Sequence, residues 1–206
     1  GLNPDKIWDI KNNTVTLSIN KKKTKIKTNP LKYLNKLIKE FKIKIPKQLP
    51  SMGSMLVGYF SYDIIRYIEK IPNKCKDDLK IPDVRLCRPK NLIIYDNLKK
   101  KIHYIENVYA DVKIKNYKET YDSILKRFEL YKSFENIKLP DQFTFKPNKN
   151  LIKSNTTKNK FKLLVKKAKN YIKKGDIFQV VLSQRFERKI NKRPIEIYNH
   201  LRKSNP

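Results

Sequence analysis

The chain has 206 residues, and its 49 lysines and arginines against 19 aspartates and glutamates give a formal net charge of +30. That length allows one large domain or two small ones, no apolar run approaches a membrane span, and no signal-peptide pattern opens the sequence. Cys75 and Cys87 are too few for a disulfide scaffold, so free thiols in a cytoplasmic protein are expected.

Residues 5–28 alternate apolar and polar positions through Ile7, Ile10, Val15, Leu17, Ile19 and Ile26, which predicts antiparallel strands with one buried face. Asn29 as N-cap and Pro30 at the first helical position open a helix whose apolar face is Leu31, Leu34, Leu37, Ile38 and Phe41. Pro46 and Pro50 bracket a loop. Met55 to Ser61 reads as a buried strand and Tyr62 to Glu69 as a helix. After a polar, proline-marked connection over 70–83, strands are predicted at 91–95 and 101–108 around a turn at Asp96–Lys99. Tyr117, Tyr121, Ile124, Phe128 and Tyr131 recur at steps of three and four, predicting a helix over 114–135 whose aromatic stripe faces a core.

The segment 137–152 is polar, basic and without periodicity, and marks a linker between an N-terminal domain, 1–136, and a second domain, 153–206. Beyond it, Phe161, Leu164, Val165, Ala168 and Ile172 line a helix that Gly175 ends. Ile177, Val180, Val181, Leu182 and Phe186 then give a buried strand, and Pro194 starts a last helix with Ile195, Tyr198 and Leu201 inward. Strands and helices mix without regular alternation, so the expected fold class is α+β, antiparallel sheets flanked by helices. Gly1 at the start and Asn205-Pro206 at the close give the expectation of an internal piece of a longer protein.

The charge invites a nucleic-acid or anionic-membrane partner. Its pattern argues otherwise. Arginine, the residue suited to bidentate phosphate and base contacts, is scarce beside lysine. The lysines are scattered, and abundant Lys, Asn, Ile and Tyr with rare Gly and Ala are what an AT-rich coding sequence produces. Neither a nucleic-acid nor a membrane partner is therefore expected. His103, His200, Cys75 and Cys87 match no zinc spacing, and glycines at 1, 53, 58 and 175 make no phosphate loop. No self-contained active site is visible. What stands out is polar: Gln179, Ser183 and Gln184 are unusual in a buried strand, because a buried amide needs partners.

Two blocks carry a family resemblance. Phe178-Gln179-Val180-Val181-Leu182-Ser183-Gln184-Arg185-Phe186 resembles the signature strand of anthranilate synthase component I, a chorismate-using enzyme. Gly58-Tyr59-Phe60-Ser61-Tyr62-Asp63-Ile64-Ile65-Arg66 resembles that family's Gly-Tyr-Phe-x-Tyr-Asp-x-x-Arg block, with Gly53-Ser54 where a glycine pair is usual. Ser154-Asn155 followed by Phe161 is similar to the start of its chorismate-binding domain. Leu201-Arg202-Lys203-Ser204-Asn205-Pro206 matches the beginning of its Leu-Arg-x-x-Asn-Pro-Ser-Pro-Tyr segment.

The resemblance implies conversion of chorismate and ammonia to anthranilate and pyruvate, a lyase reaction of tryptophan biosynthesis. Ammonia would come from a partner glutamine amidotransferase, component II. It further implies Mg²⁺ as cofactor with ligands beyond Pro206, and so no metal ligand in this stretch. Tryptophan would be a feedback inhibitor whose site begins here at Asn205 and Pro206. Gln179 is the candidate catalytic residue: the water-using isochorismate and salicylate synthases carry a lysine base at the matching position, which an ammonia-using enzyme does not need. A structural role for Gln179, satisfying a neighbouring backbone group, stays open. Asp63 and Arg66 read as a structural pair. Val180-Val181-Leu182-Ser183 fits anthranilate synthase better than aminodeoxychorismate synthase, a folate-pathway relative that is the main alternative, ahead of a basic nucleic-acid-binding module.

Overall fold

A computed structural model describes residues 1–41, 43–133, 152–190 and 192–205. The chain divides into two units, Gly1–Ile137 and Lys138–Pro206. In the first unit the alternating opening folds as three strands, β1 (Leu2–Lys11), β2 (Thr14–Ile19) and β3 (Lys22–Lys27). The β2–β3 turn places Asn20 and Lys21 at φ +48° and +68°, the paired left-handed geometry that matches strand twist in two-residue hairpins. Helix α1 (Pro30–Glu40) starts as its sequence demands: the Asn29 side chain accepts from the Lys32 N–H at 3.0 Å, with Pro30 in the first turn.

The remaining strands of this unit are β4 (Val57–Phe60), β5 (Val84–Asp96) and β6 (Lys101–Glu106). The sheet runs β3-β2-β1-β5-β4, with β6 also on β5, and every pairing is antiparallel. Register explains the core. Trp8 lies opposite Leu17 and Leu86, and Ile10 opposite Val15 and Val84, so six apolar residues share one face. All of them except Leu17 form the buried cluster with Leu34 of α1, and Leu17, Tyr33, Leu37 and Leu56 pack against it. Pro4 and Pro89 face each other at the register shift between β1 and β5, where two residues without an N–H leave no ladder donor unpaired.

Helix α2 (Tyr117–Ser133) rests on β6. Tyr131 stacks on Tyr104 with ring centroids 6.2 Å apart, and Phe128 lies 6.4 Å from the same ring. The Glu106 side chain, 2% exposed, accepts from Arg127 Nη2 and Nε at 2.7 and 2.9 Å and from the Asn91 amide at 2.7 Å. Asp83 is a second buried junction. Its carboxylate accepts from Tyr67 Oη at 2.5 Å and from the Asn12 N–H and Lys11 Nζ at 3.3 Å, and burial together with that carboxylate pushes the Tyr67 phenol well above its ordinary range. Arg88 is held by Asp5 and Asp111 and lies 3.8 Å from the Tyr109 ring centre.

Several expectations need correction. The strand expected to be buried at 55–61 is β4, exposed throughout, because it closes the sheet edge and pairs on one side only. The helix expected after it is a 3₁₀ turn, Tyr62–Tyr67, where Arg66 Nε does bind Asp63 at 2.8 Å. Strand β5 begins seven residues before the predicted 91, since Arg85 and Arg88 break the apolar pattern yet sit in the ladder as ion-pair partners of Asp9 and Asp5. Only the C-terminal half of the α2 stripe packs; Tyr117 and Tyr121 are exposed.

In the second unit the elements are β7 (Ile152–Ser154), α3 (Lys158–Lys173), β8 (Phe186–Arg188) and α4 (Pro194–Ser204). The expected linker lies outside the described residues except for Ile152, which belongs to β7. The long strand expected over 177–186 is reduced to Phe186 and the two residues after it, and Ile195, Tyr198 and Leu201 are exposed rather than inward. Strand formation needs a ladder partner, and among the described residues β8 pairs with the three-residue β7 alone.

Candidate functional site

The second unit carries the residues singled out in the sequence. Helix α3 opens at Thr157, whose side chain accepts from the Lys160 N–H at 3.3 Å, and its face of Phe161, Leu164, Val165 and Ala168 is half-buried. It closes in a Schellman motif: the Gly175 N–H reaches the Ile172 carbonyl and the Asp176 N–H the Tyr171 carbonyl, each at 3.0 Å. Gly175 has φ +77°, and a Cβ added there would meet nothing within 4 Å. Gly175→Val should therefore cost about 1 kcal/mol or more through backbone conformation alone. A melting temperature shifted by this change, with Gly175→Asn milder, would show that the left-handed cap ends the helix.

From Ile177 to Gln184 no ladder pairing is formed with any described residue, and Phe178 and Val181 are 94% and 83% exposed. Gln179 and Ser183 are exposed. Gln184 is not. Its Nε2 donates to Ser154 Oγ at 2.6 Å and to the Thr156 carbonyl at 3.1 Å. Beside it Asn155 Oδ1 accepts from the Arg185 N–H at 3.0 Å, and the Asn155 N–H donates to the Arg185 carbonyl at 3.1 Å. The structure thus brings Ser154, Asn155 and Gln184 together but leaves Gln179 apart from them. Asn205 caps α4 by donating its N–H to the Leu201 carbonyl at 2.9 Å; Pro206 lies outside the described residues.

Sequence reasoning placed Gln184 among residues needing partners without finding them. The polar quartet Ser154-Asn155-Thr156-Thr157, two residues after the apolar Ile152 and just before a helical pattern, is the signal that could have supplied them.

The carboxylates of this unit's described residues are Asp176, Glu187 and Glu196. Glu187 faces Arg185 at 2.8 Å and Glu196 faces Arg193 at 2.6 Å. Among the described residues no group of three or more His, Cys, Asp or Glu could hold a metal ion. Mg²⁺ asks for several oxygen ligands in near-octahedral array, and the described residues of this unit do not gather their carboxylates to supply them. Among those residues, too, no helix is long and apolar enough to cross a membrane.

A family model described as chorismate binding enzyme matches residues 3–206. The chain belongs to the chorismate-binding enzyme family. Within that family it is similar to anthranilate synthase component 1 of Acetivibrio thermocellus, 35% identical over 95% of this chain and 40% of that protein. The corresponding protein of Aquifex aeolicus is 35% identical over 86% of the chain and 36% of its own length. A chloroplastic anthranilate synthase alpha subunit 2 of Arabidopsis thaliana is 36% identical over 86% of the chain. The crystal structure of anthranilate synthase component I from Streptococcus pneumoniae superposes with a TM-score of 0.74 at 28% identity, covering all of this chain and 44% of that one. The chain therefore spans about two fifths of the length of the relatives it matches. Its antiparallel sheet with flanking helices is the α+β architecture expected from the sequence.

Proposed function

We propose that the chain is part of an anthranilate synthase component I, a lyase that turns chorismate and ammonia into anthranilate and pyruvate. In that reaction the ammonia nitrogen bonds to a ring carbon as the ring hydroxyl departs, and loss of the enolpyruvyl group as pyruvate restores the aromatic ring. The observation that carries the reading is the continuity of the match. Bacterial proteins named anthranilate synthase component 1 and a plant anthranilate synthase alpha subunit align over nine tenths or so of the chain, through both units.

Gln179 supports the amine-using branch of the family. A neutral amide cannot take a proton from water, whereas ammonia is nucleophilic without a base. Ammonia from a glutamine amidotransferase component, Mg²⁺ held by residues outside this chain, and feedback by tryptophan at a site that includes Asn205 and Pro206 belong to the same proposal, as does action in the cytoplasm. The arginines of the first unit speak against the nucleic-acid alternative: Arg66, Arg85, Arg88 and Arg127 are each engaged by a carboxylate, which leaves them poorly placed for phosphate contacts.

The full-length gene product, given chorismate, Mg²⁺ and ammonium, should form fluorescent anthranilate. Formation of aminodeoxychorismate instead would transfer the protein to the folate-pathway branch, and no turnover would end the proposal. In the same enzyme Gln179→Lys should lower amination by about tenfold and open a water-addition product, since a lysine base activates water. Chromatography of the products reads the ratio, and an unchanged ratio removes Gln179 from the mechanism.

A further inference from the structure

Resting on that reading, we infer that Asn155 and Gln184 are positioning residues: together they set the register of the segment that carries Gln179. Strand β8 pairs with β7 through Ser154 opposite Phe186, Lys153 opposite Glu187 and Ile152 opposite Arg188. The ladder would continue to Asn155 and Arg185, and it does so in a modified form. The Asn155 N–H still donates to the Arg185 carbonyl at 3.1 Å, but the return bond from the Arg185 N–H goes to Asn155 Oδ1 at 3.0 Å. A side chain thus takes the place of a main-chain acceptor, and Thr157 caps α3 two residues on. Next to it, Gln184 spans to Ser154 Oγ and to the Thr156 carbonyl. A carbonyl can only accept, so the nitrogen of Gln184 must face Thr156. Ser154 Oγ, for its part, donates to that same carbonyl at 2.8 Å and accepts from the Thr156 N–H at 3.1 Å, which ties the start of α3 to the end of the candidate segment.

Side chains alternate along extended backbone, and a slip of one residue sends each to the opposite face. With Gln184 fixed toward β7 and Thr156, Ser183 and Gln179 fall together on the other face wherever 179–184 is extended. The clamp therefore decides which side of the segment Gln179 presents, five residues away from any hydrogen bond of its own to β7. A three-residue strand pair alone has little power to resist slippage. The polar clamp adds direction, because its donors and acceptors cannot be exchanged.

That asymmetry gives the test, made in the intact enzyme. Gln184→Glu removes the donor and sets a carboxylate against the Thr156 carbonyl, whereas Asn155→Asp keeps the acceptor that Arg185 needs. Gln184→Glu and Asn155→Leu should lower kcat by roughly tenfold to a hundredfold, the cost of a misplaced group, with the KM for chorismate little changed. Asn155→Asp should recover most of what Asn155→Leu loses. Hydrogen exchange of the peptides covering β7, α3 and β8 is read alongside, with slowed exchange at Arg185 expected in the parent and in Asn155→Asp. Wild-type kcat in Gln184→Glu overturns the inference alone. So does a loss of kcat that accompanies loss of protection throughout α3, since that is unfolding and not misplacement. Absence of turnover in the parent enzyme, with its Arg185 amide protected, overturns the functional reading and the inference with it.

Discussion

Gly58→Val should unfold the edge of the first sheet, with a loss of at least ~3 kcal/mol and a fall in melting temperature of roughly 10 °C or more. A Cβ at this position would lie 1.8 Å from the carbonyl oxygen of Arg85 and 2.9 Å from the Cα of Leu86. Both are backbone atoms of β5, so no side-chain rotation can make room. Relief requires β4 to move off β5, and that movement carries other contacts with it. Gly58 pairs with Leu86 of the core cluster, Tyr59 Oη donates to the Pro82 carbonyl at 3.2 Å, and the Ser61 N–H donates to the Asp83 carbonyl at 2.7 Å. Gly53→Ala is the control. Its Cβ would meet the Pro50 carbonyl oxygen at 3.1 Å, a contact that a shift of a few tenths of an ångström relieves, so it should melt close to the parent. Thermal denaturation of the chain followed by circular dichroism separates the two, and a Gly58→Val protein as stable as Gly53→Ala would show that β4 does not hold this position.

Gly58 also shows what the sequence could and could not reveal. The block from Gly58 to Arg66 was conspicuous as a pattern, but nothing in it says that its strand lies at an edge. Burial of a strand is decided by what covers it, and Val57, Tyr59 and Phe60 are exposed here although their residue types are those of a core. Local chemistry was legible wherever a residue satisfies its own neighbours. The Asn29 cap, Pro30 and the Gly175 cap follow from interactions within a few positions. The alternation through Val15, Leu17 and Ile26 was legible for the same reason, since period two fixes a face whatever the partner. Long-range polar partners were not. Nothing near Asp83 in sequence announces Asn12 or Lys11, which lie 71 and 72 positions away. Arg85 and Arg88 misled, because a charged residue in a strand reads as a break until its carboxylate partner is seen on the adjacent strand. In the candidate site, Gln179 was legible only as an odd residue type. Its exposure follows from a segment whose ladder ends at Arg185.

Glu106 offers the second large effect, Glu106→Ala costing about 2–3 kcal/mol. Removing one member of a buried ion pair is worth more than that when both partners are dry, but Arg127 is 34% exposed and water screens part of the interaction. The change strands Arg127 against β6, and the Asn91 amide loses its acceptor at 2.7 Å. Helix α2 is then left on the sheet chiefly by Phe128 and Tyr131 against Tyr104. Acid should do the same as the mutation. Burial alone would raise the Glu106 pKa, but hydrogen bonds from Arg127 and Asn91 and the charges of Arg127 and Lys90 outweigh it and hold the carboxyl below its ordinary 4.5. Asp111 behaves likewise: burial opposes ionisation, yet Lys6 and Arg88 bring it down from 3.8 to about 2. A folded-state pKa below the unfolded one means that the unfolded chain binds protons first, so the stabilisation is complete above about pH 4.5 and is lost as pH falls toward 2. Urea denaturation between pH 6 and pH 2 should therefore show a midpoint that falls steeply below pH 4.5, and less steeply in Glu106→Ala. A cycle with Arg127→Ala completes the argument, because only a coupling between the two substitutions that vanishes in acid assigns the loss to this pair rather than to a cavity left by the missing side chain.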